Sequence, residues 1–387
     1  MRASAWMVLT GVLFVAHVLS WDAGIFYPFS DRYWSVMLIG LVCFYVGYWP
    51  TAWVATRLGA IGALCQFSRL GLREHAAHRT FLAMFWLFFL LGLLDRYLMV
   101  GPGFFLPDSV MQYRIIMTVE GGQNAIKGLS LGNFFLFLMP AYIIAYRRRF
   151  NAMSLALAVM AVIFNIYLSS ARSALFVSAL TAFYFWMLPK RINLNVTIRV
   201  AVVVSVLFYG FALIGQIVGK STAELGFVVY AAAPLHAFDA LLMGQGTLDG
   251  YFLSFYPIHS ILANFFDFTP TTILPNVFTP LPTNVYTMFG VYFIDYGTVG
   301  LYCAMFLIGL LSGTLDRAYR KTGNGLLRAW AAVNMTVLSL SVFYDYYTTS
   351  GVIWMSIALS PFFFSRSALA TKRSERVAPQ HEPVNQP

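Results

Sequence analysis

Arg172 has the type and setting best suited to chemistry in this chain. It follows two serines in Asn165-Ile-Tyr-Leu-Ser-Ser-Ala-Arg-Ser-Ala-Leu-Phe176, a tight turn between two apolar runs. Ser169 or Ser170 can cap the helix that follows. A cation at a helix N-terminus opposes the dipole unless an anion bridges the two. Backbone N–H groups, serine hydroxyls and a guanidinium together make a phosphate cradle. An Arg at a membrane interface also snorkels to lipid headgroups or pairs with an acid, and residue types alone leave both readings open.

A second constellation is Tyr230-Ala-Ala-Ala-Pro-Leu-His-Ala-Phe-Asp-Ala-Leu-Leu-Met243. Pro234 suits the first turn of a helix. Leu235, Phe238 and Leu242 then share one face, and His236 and Asp239 share the opposite one. A His oriented by a carboxylate is a usable general base near neutral pH; a solvated polar face is the plain alternative. The third stretch is Thr283-Asn-Val-Tyr-Thr-Met-Phe-Gly-Val-Tyr-Phe-Ile-Asp-Tyr-Gly-Thr-Val-Gly300. Asp295 falls near the end of an apolar run, where an isolated acid faces a cavity or a partner. Asn284, Tyr286, Tyr292 and Tyr296 suit a sugar, and equally suit an interfacial aromatic belt. Arg96 follows Asp95 and fits a local pair or interface anchor. Arg114, in Gln112-Tyr113-Arg114, falls in a stretch suited to an interfacial helix.

The elements that position these residues follow from composition. Of 387 residues, 59% are apolar and 10% charged, with a mean hydropathy of +0.72. A soluble domain is about a quarter charged, so an ordinary cytosolic enzyme and a disordered chain are both excluded. The fold class is an all-α polytopic integral membrane protein. Ten apolar runs, at roughly 5–20, 34–56, 80–98, 129–146, 152–168, 172–188, 198–218, 292–315, 326–345 and 351–365, read as transmembrane helices. The first could be a signal peptide, but Ser20-Trp21-Asp22 is a poor cleavage site, and the reading keeps it as an anchor.

Basic residues fix the expected orientation. With the N-terminus in the cytoplasm, 19 of the 25 Lys and Arg fall inside with 4 acids, and 6 fall outside with 11 acids; the faces carry +15 and −5. The net +10 is therefore a sidedness signal and not a sign of nucleic-acid binding. Both termini are expected inside, with 1–369 one transmembrane domain and 370–387 a disordered cytoplasmic tail. External segments are expected at 99–128 and 219–291, the latter a partly helical subdomain on the outer leaflet. Cys43, Cys65 and Cys303 are too far apart for a metal site or disulfide framework. No cofactor motif is present. The pairs Gly309–Gly313 and Gly215–Gly219 have the spacing of close helix contacts.

Together these stretches resemble the Wzy-type polymerases of O-antigen and capsule repeat units, and more loosely the O-antigen ligases. The likeness lies in the order of elements over roughly 160–325. The Ser-Ser-Ala-Arg-Ser turn comes first, then a large external loop opening with 230–242. Asn284-Val-Tyr-Thr and Asp295-Tyr-Gly-Thr-Val-Gly300 follow, and a long span ends in Gly309-Leu-Leu-Ser-Gly313 before Asp316-Arg-Ala-Tyr-Arg320. The resemblance implies a metal-independent glycosyltransferase of the inner membrane, acting at its periplasmic face. Donor and acceptor would be glycans linked to undecaprenyl diphosphate, and a chain-length regulator protein is a possible partner. His236 or Asp239 would serve as base. Arg172, Arg114, Arg96, Ser169, Ser170, Tyr230, Asn284, Tyr286 and Asp295 would bind substrate. A ligase acting on lipid A core and a polysaccharide transporter are the alternatives. Transporters show repeats and mid-membrane charges, and no repeat is visible here.

Overall fold

A computed structural model describes residues 3–51, 74–118, 129–169, 172–191, 226–245, 253–262 and 285–364, together with 195, 198, 202, 265–266, 277–279 and 282–283. The helices are α1 (Ala5–Ala23), α2 (Asp31–Tyr48), α3 (Glu74–Val100), α4 (Pro107–Thr118), α5 (Leu129–Ala145), α6 (Ala152–Ser169), α7 (Arg172–Met187), α8 (Gly226–Leu242), α9 (Tyr256–Leu262), α10 (Met288–Thr322), α11 (Gly325–Leu340), α12 (Tyr346–Thr349) and α13 (Gly351–Phe364). A short antiparallel hairpin pairs Val277 with Thr283. Every apolar run read from the sequence coincides with a helix except 198–218, of which only Ile198 and Val202 are described; the rest of it, with Gly215, Gly219 and the tail, lies outside the described residues. Three helices, at Ala5–Ala23, His75–Val100 and Met288–Thr322, are long and apolar enough to cross a bilayer. The other apolar helices are shorter.

The bundle has two halves. In one, α3, α5, α6, α7 and α13 pack around an aromatic core that includes Phe81, Phe85, Phe134 and Tyr142. In the other, α1, α2, α8 and α10 enclose Leu9, Tyr33, Phe44, Leu235 and Phe289. Helix α11 contributes to both and is buried along its length except at Trp330. Its polar side chains do the joining. Thr336 bonds Thr181 of α7 at 2.9 Å, Ser339 bonds Tyr184 at 2.5 Å, and the Arg328 Nε donates to the Phe185 carbonyl at 2.6 Å. Lipid supplies no hydrophobic drive between helices, so such bonds and close packing carry the association.

The closest packing lies between α2 and α10. A Cβ on Gly309 would stand 2.1 Å from the Phe44 carbonyl oxygen, and one on Gly47 would stand 2.2 Å from that of Phe306. Gly313 meets Tyr48 in the same way, so the small-residue spacing in α10 serves helix contact. At the foot of α10, the Asp316 carboxylate accepts the Ala5 N–H at 2.8 Å and the Tyr48 hydroxyl at 2.6 Å, tying the start of α1 and the end of α2 to α10. At its other end α10 is broken at Gly297, whose φ of 67° and ψ of −169° only glycine adopts without strain. The break sets off Met288–Tyr296 as a short leading helix.

Candidate functional site

Of the sequence-predicted residues, His236, Asp239, Asp295 and Arg96 lie toward one end of the bundle. Helix α8 brings His236 and Asp239 against the loop joining α1 and α2. Pro234 lies in the interior of this helix and not in its first turn, because α8 begins at Gly226. A proline there removes one backbone bond and bends the helix. Leu235, Phe238 and Leu242 face the core as expected, but His236 is no solvated residue: it is 5% exposed. Its ring lies flat between Phe26 at 4.5 Å and Phe29 at 4.1 Å, both in the loop outside the spans. Its Nε2 stands 2.6 Å from the Ser20 hydroxyl.

Burial, and secondarily the nearby His17, push the His236 imidazole down to about 4. It is therefore neutral at pH 7, and the same burial makes it a weaker base than a free imidazole. The expected His–Asp pair is differently built. The Asp239 carboxylate accepts the Ser30 N–H at 3.1 Å and the Ser30 hydroxyl, and Ser30 caps α2 by accepting the Tyr33 N–H at 3.1 Å. Asp239 thus places a negative charge at the start of α2, where the helix dipole favours it. The His236 ring is oriented by its two phenylalanines and Ser20 instead. Sequence periodicity put both residues on one helix face and could not show that separate serines, Ser20 of α1 and Ser30 of the loop before α2, would take them.

Beside this cluster a cavity of about 860 Å³ opens between α1 and α2. Ser20, Phe26 and Phe29 belong to its wall as well as to the surroundings of His236. His17 also lines it. The His17 Nδ1 is 2.7 Å from the Leu13 carbonyl, an acceptor only, so Nδ1 carries the proton and Nε2 accepts from the Tyr33 hydroxyl at 2.8 Å.

Asp295 stands two residues before the break at Gly297. Its carboxylate accepts the N–H groups of Leu253 at 3.0 Å and Ser254 at 2.6 Å, so it anchors the segment that follows α8. Tyr286 is fully buried among Ala237, Leu241 and Val291. A neighbouring acid escaped the sequence reading. Asp345, past the end of α11, is fully buried and accepts the Tyr292 hydroxyl at 3.0 Å and the Tyr347 N–H at 2.9 Å. Burial holds its carboxyl up at about 6. Its signal was a helix cap, an Asp immediately before Tyr-Tyr-Thr-Thr.

The arginines occupy the other half at the same end. Phe176, early in α7, lies 6.3 Å from Phe343 beyond α11, which puts the start of α7 level with Asp345. Arg172 is the first residue of α7 and Ser169 the last of α6; Ser170 and the side chains of Ser169 and Arg172 lie outside the described residues, as do Asn284 and the Tyr230 side chain. Arg114 sits on α4, its side chain likewise outside. Arg96 is buried. It donates to the Gly92 carbonyl at 2.8 Å and lies 4.8 Å from the Tyr113 ring, while Tyr113 donates to Asp95 at 2.7 Å. Arg96, Tyr113 and Asp95 thereby fix α4 to α3. Its Nε is buried with no hydrogen-bond partner among the described residues.

Acidic and basic positions are unevenly distributed at this end. Among the described residues and by backbone position alone, Arg96, Arg114 and Arg172 fall in one half with Asp95 and Asp108. Asp22, Asp31, Asp239, Asp295 and Asp345 share the other with Arg32. No group of three or more His, Cys, Asp or Glu among the described residues is placed to hold a metal ion. No protein-family model, no curated protein and no solved structure matches the chain.

Proposed function

We propose that this membrane protein polymerises lipid-diphosphate-linked oligosaccharide repeat units, transferring a growing glycan from its undecaprenyl diphosphate carrier to the terminal sugar of a new lipid-linked unit. The uneven distribution of acidic and basic positions at one end of the bundle supports the reading. A transfer of this kind has an anionic leaving group and a neutral acceptor hydroxyl, and the two need opposite surroundings. The arginine half suits the diphosphate, whose developing charge a guanidinium stabilises. The other half offers His236, a neutral imidazole beside an apolar cavity, for the acceptor proton.

The chemistry balances on these groups. The acceptor hydroxyl attacks the anomeric carbon of the donor, the bond to the lipid diphosphate breaks, and the hydroxyl proton passes to the His236 Nε2 once Ser20 gives way. The leaving diphosphate keeps the bonding electrons. The end that carries these groups would face the periplasm. The test is the surface-glycan pattern of a strain lacking this protein. Single repeat units capping the core, restored to a ladder by the wild-type chain, are expected. Complete loss of surface-linked glycan, with long polymer still on the lipid carrier, would favour a ligase and overturn the polymerase.

A further inference from the structure

One basic residue at the His236 end has no part in the reaction described above. Arg32, in the first turn of α2, donates from Nη1 to the Leu242 carbonyl at 2.5 Å. Leu242 ends α8. Beyond it the chain closes in a Schellman turn. Gly244 takes a φ of 76°, and the N–H groups of Gly244 and Gln245 donate to the carbonyls of Leu241 and Ala240 at 3.0 and 2.9 Å. Neither bond uses the Leu242 carbonyl, and Arg32 takes it. A cation there also answers the negative end of the helix dipole.

The pairing is reciprocal. Asp239, one turn earlier on α8, accepts the Ser30 N–H at 3.1 Å and the Ser30 hydroxyl, and Ser30 caps α2. So α8 sends a carboxylate to the positive end of α2, and α2 sends a guanidinium to the negative end of α8. What this clamp holds is a stack of rings. Phe26, His236, Phe29 and Tyr33 follow one another at 4.5, 4.1 and 4.3 Å, with interplanar angles of 4°, 10° and 13°. Phe29 directly precedes Ser30, and Tyr33 directly follows Arg32. His236 lies one turn before Asp239. The rings on the α2 side and the imidazole on α8 therefore meet beside the residues that tie the two helix ends.

We propose that Arg32 is a positioning residue for the transfer: with Asp239 and Ser30 it locks the end of α8 to the start of α2, and so keeps Phe29 closed on the His236 ring and Nε2 held to Ser20. The assignment rests on His236 as the base of the transfer reaction. Burial in the stack keeps the imidazole down at about 4, and a slot opened to water lets it rise toward 6.5. The stack is faced by His17 of α1, at 5.4 Å from Phe29, by Tyr33 and Arg32 of α2 and by Asp239 of α8, so the titration is read at the His236 ring itself.

The test removes the donor and keeps the stem. Full-length protein in detergent micelles, labelled with carbon-13 in its histidine rings, is titrated from pH 7 to pH 4 by NMR. The His236 signal is assigned by its loss in His236→Gln. In the wild type this ring should stay neutral down to pH 5. In Arg32→Met it should titrate about one pH unit or more higher. Arg32→Lys, which keeps a charge and a donor, should restore most of the wild-type behaviour. Ser30→Ala opens the same clamp from the loop and should shift the ring in the same direction. In Arg32→Met and Ser30→Ala, kcat/KM should gain an acid limb at the pH where the ring titrates, whereas a loss of folded protein alone would lower the rate equally at every pH. A His236 ring that titrates at the wild-type pH in both variants overturns the assignment. A ring that shifts with no acid limb in the rate overturns His236 as the base and not the clamp.

Discussion

Replacing His236 can separate its chemistry from its packing, because the two have different partners. His236→Ala empties the slot between Phe26 and Phe29 and leaves the buried Ser20 hydroxyl without its imidazole partner. An orphaned buried polar group costs about 1–3 kcal/mol, so reduced accumulation of this variant is a packing effect. His236→Gln keeps a polar side chain within reach of Ser20 and much of the volume. It cannot take up a proton near pH 7. Removing a general base costs about 100- to 10,000-fold in rate. The Gln variant should therefore reach near wild-type levels in the membrane and make only the shortest glycans. Ser20→Ala, which spares the imidazole, should retain a ladder.

The pH dependence adds a second reading of the same experiment. With His236 held down at about 4, the base stays unprotonated from pH 7 to pH 5. The rate of purified protein, as kcat/KM, should be level over that range and fall only below it. An acid limb near pH 6 would instead point to Asp345, whose carboxyl burial raises to that value. The fold itself responds in the same direction. As pH falls from 6.5 toward 4 the unfolded chain takes up the His236 proton first, so stability present above pH 6.5 is lost across that window. Wild-type ladders from His236→Gln at matched membrane levels would refute the role of this residue outright.

Four further outcomes are expected. Arg172→Ala should abolish long-chain product, at a cost of about 100- to 1000-fold in rate, and Arg172→Lys should be impaired less, since an ammonium offers a point charge and not a fork; full ladders from both at matched levels would leave Arg172 a lipid anchor. Asp239→Asn should cut glycan synthesis less than His236→Gln does, because Asp239 holds Ser30 and the start of α2; a loss equal to that of the Gln variant would restore it as the base. Gly309→Val should lower the melting temperature of the purified protein by forcing α2 from α10, where the first added carbon already meets the Phe44 carbonyl, at about 1–3 kcal/mol for such overpacking. Reporter fusions at Gly250 and Gly323 should lie on opposite sides of the membrane; the same side for both would undo the assignment of every external residue.

The helices were legible because apolar runs of this length leave the backbone no other way to satisfy its groups in lipid. The glycine pair in α10 was legible for a similar reason: a spacing of four puts both on one face. The candidate site was legible residue by residue and not as a constellation. Period alone placed His236 and Asp239 side by side, but Ser20 and Ser30, more than two hundred positions away, compete for them more closely. Pro234 suggested a helix start, yet eight residues of helix precede it. Asp345 carries only the short pattern of a cap, and nothing local says that its carboxyl is sealed from water by Tyr292 and its own turn.

The distance between the two charged groups depends on a helix that belongs to neither. Helix α11 holds α7, which begins at Arg172, through Thr336 and Ser339. On its opposite side the Asn334 Oδ1 accepts the Tyr347 hydroxyl at 2.7 Å and its Nδ2 donates to Ser312 of α10 at 3.1 Å. Asp345 continues this column by taking the Tyr292 hydroxyl from the leading segment of α10. Apolar helix faces alone slide with little change in energy, whereas a hydrogen-bonded seam fixes one register. Among the described residues, the arginine half and the His236 half are therefore held apart by this hydrogen-bonded frame. A substrate bridging them must match that gap in its unbound shape. Selectivity for the repeat unit would then arise as much from α10 and α11, which hold the frame, as from the side chains that meet the sugar.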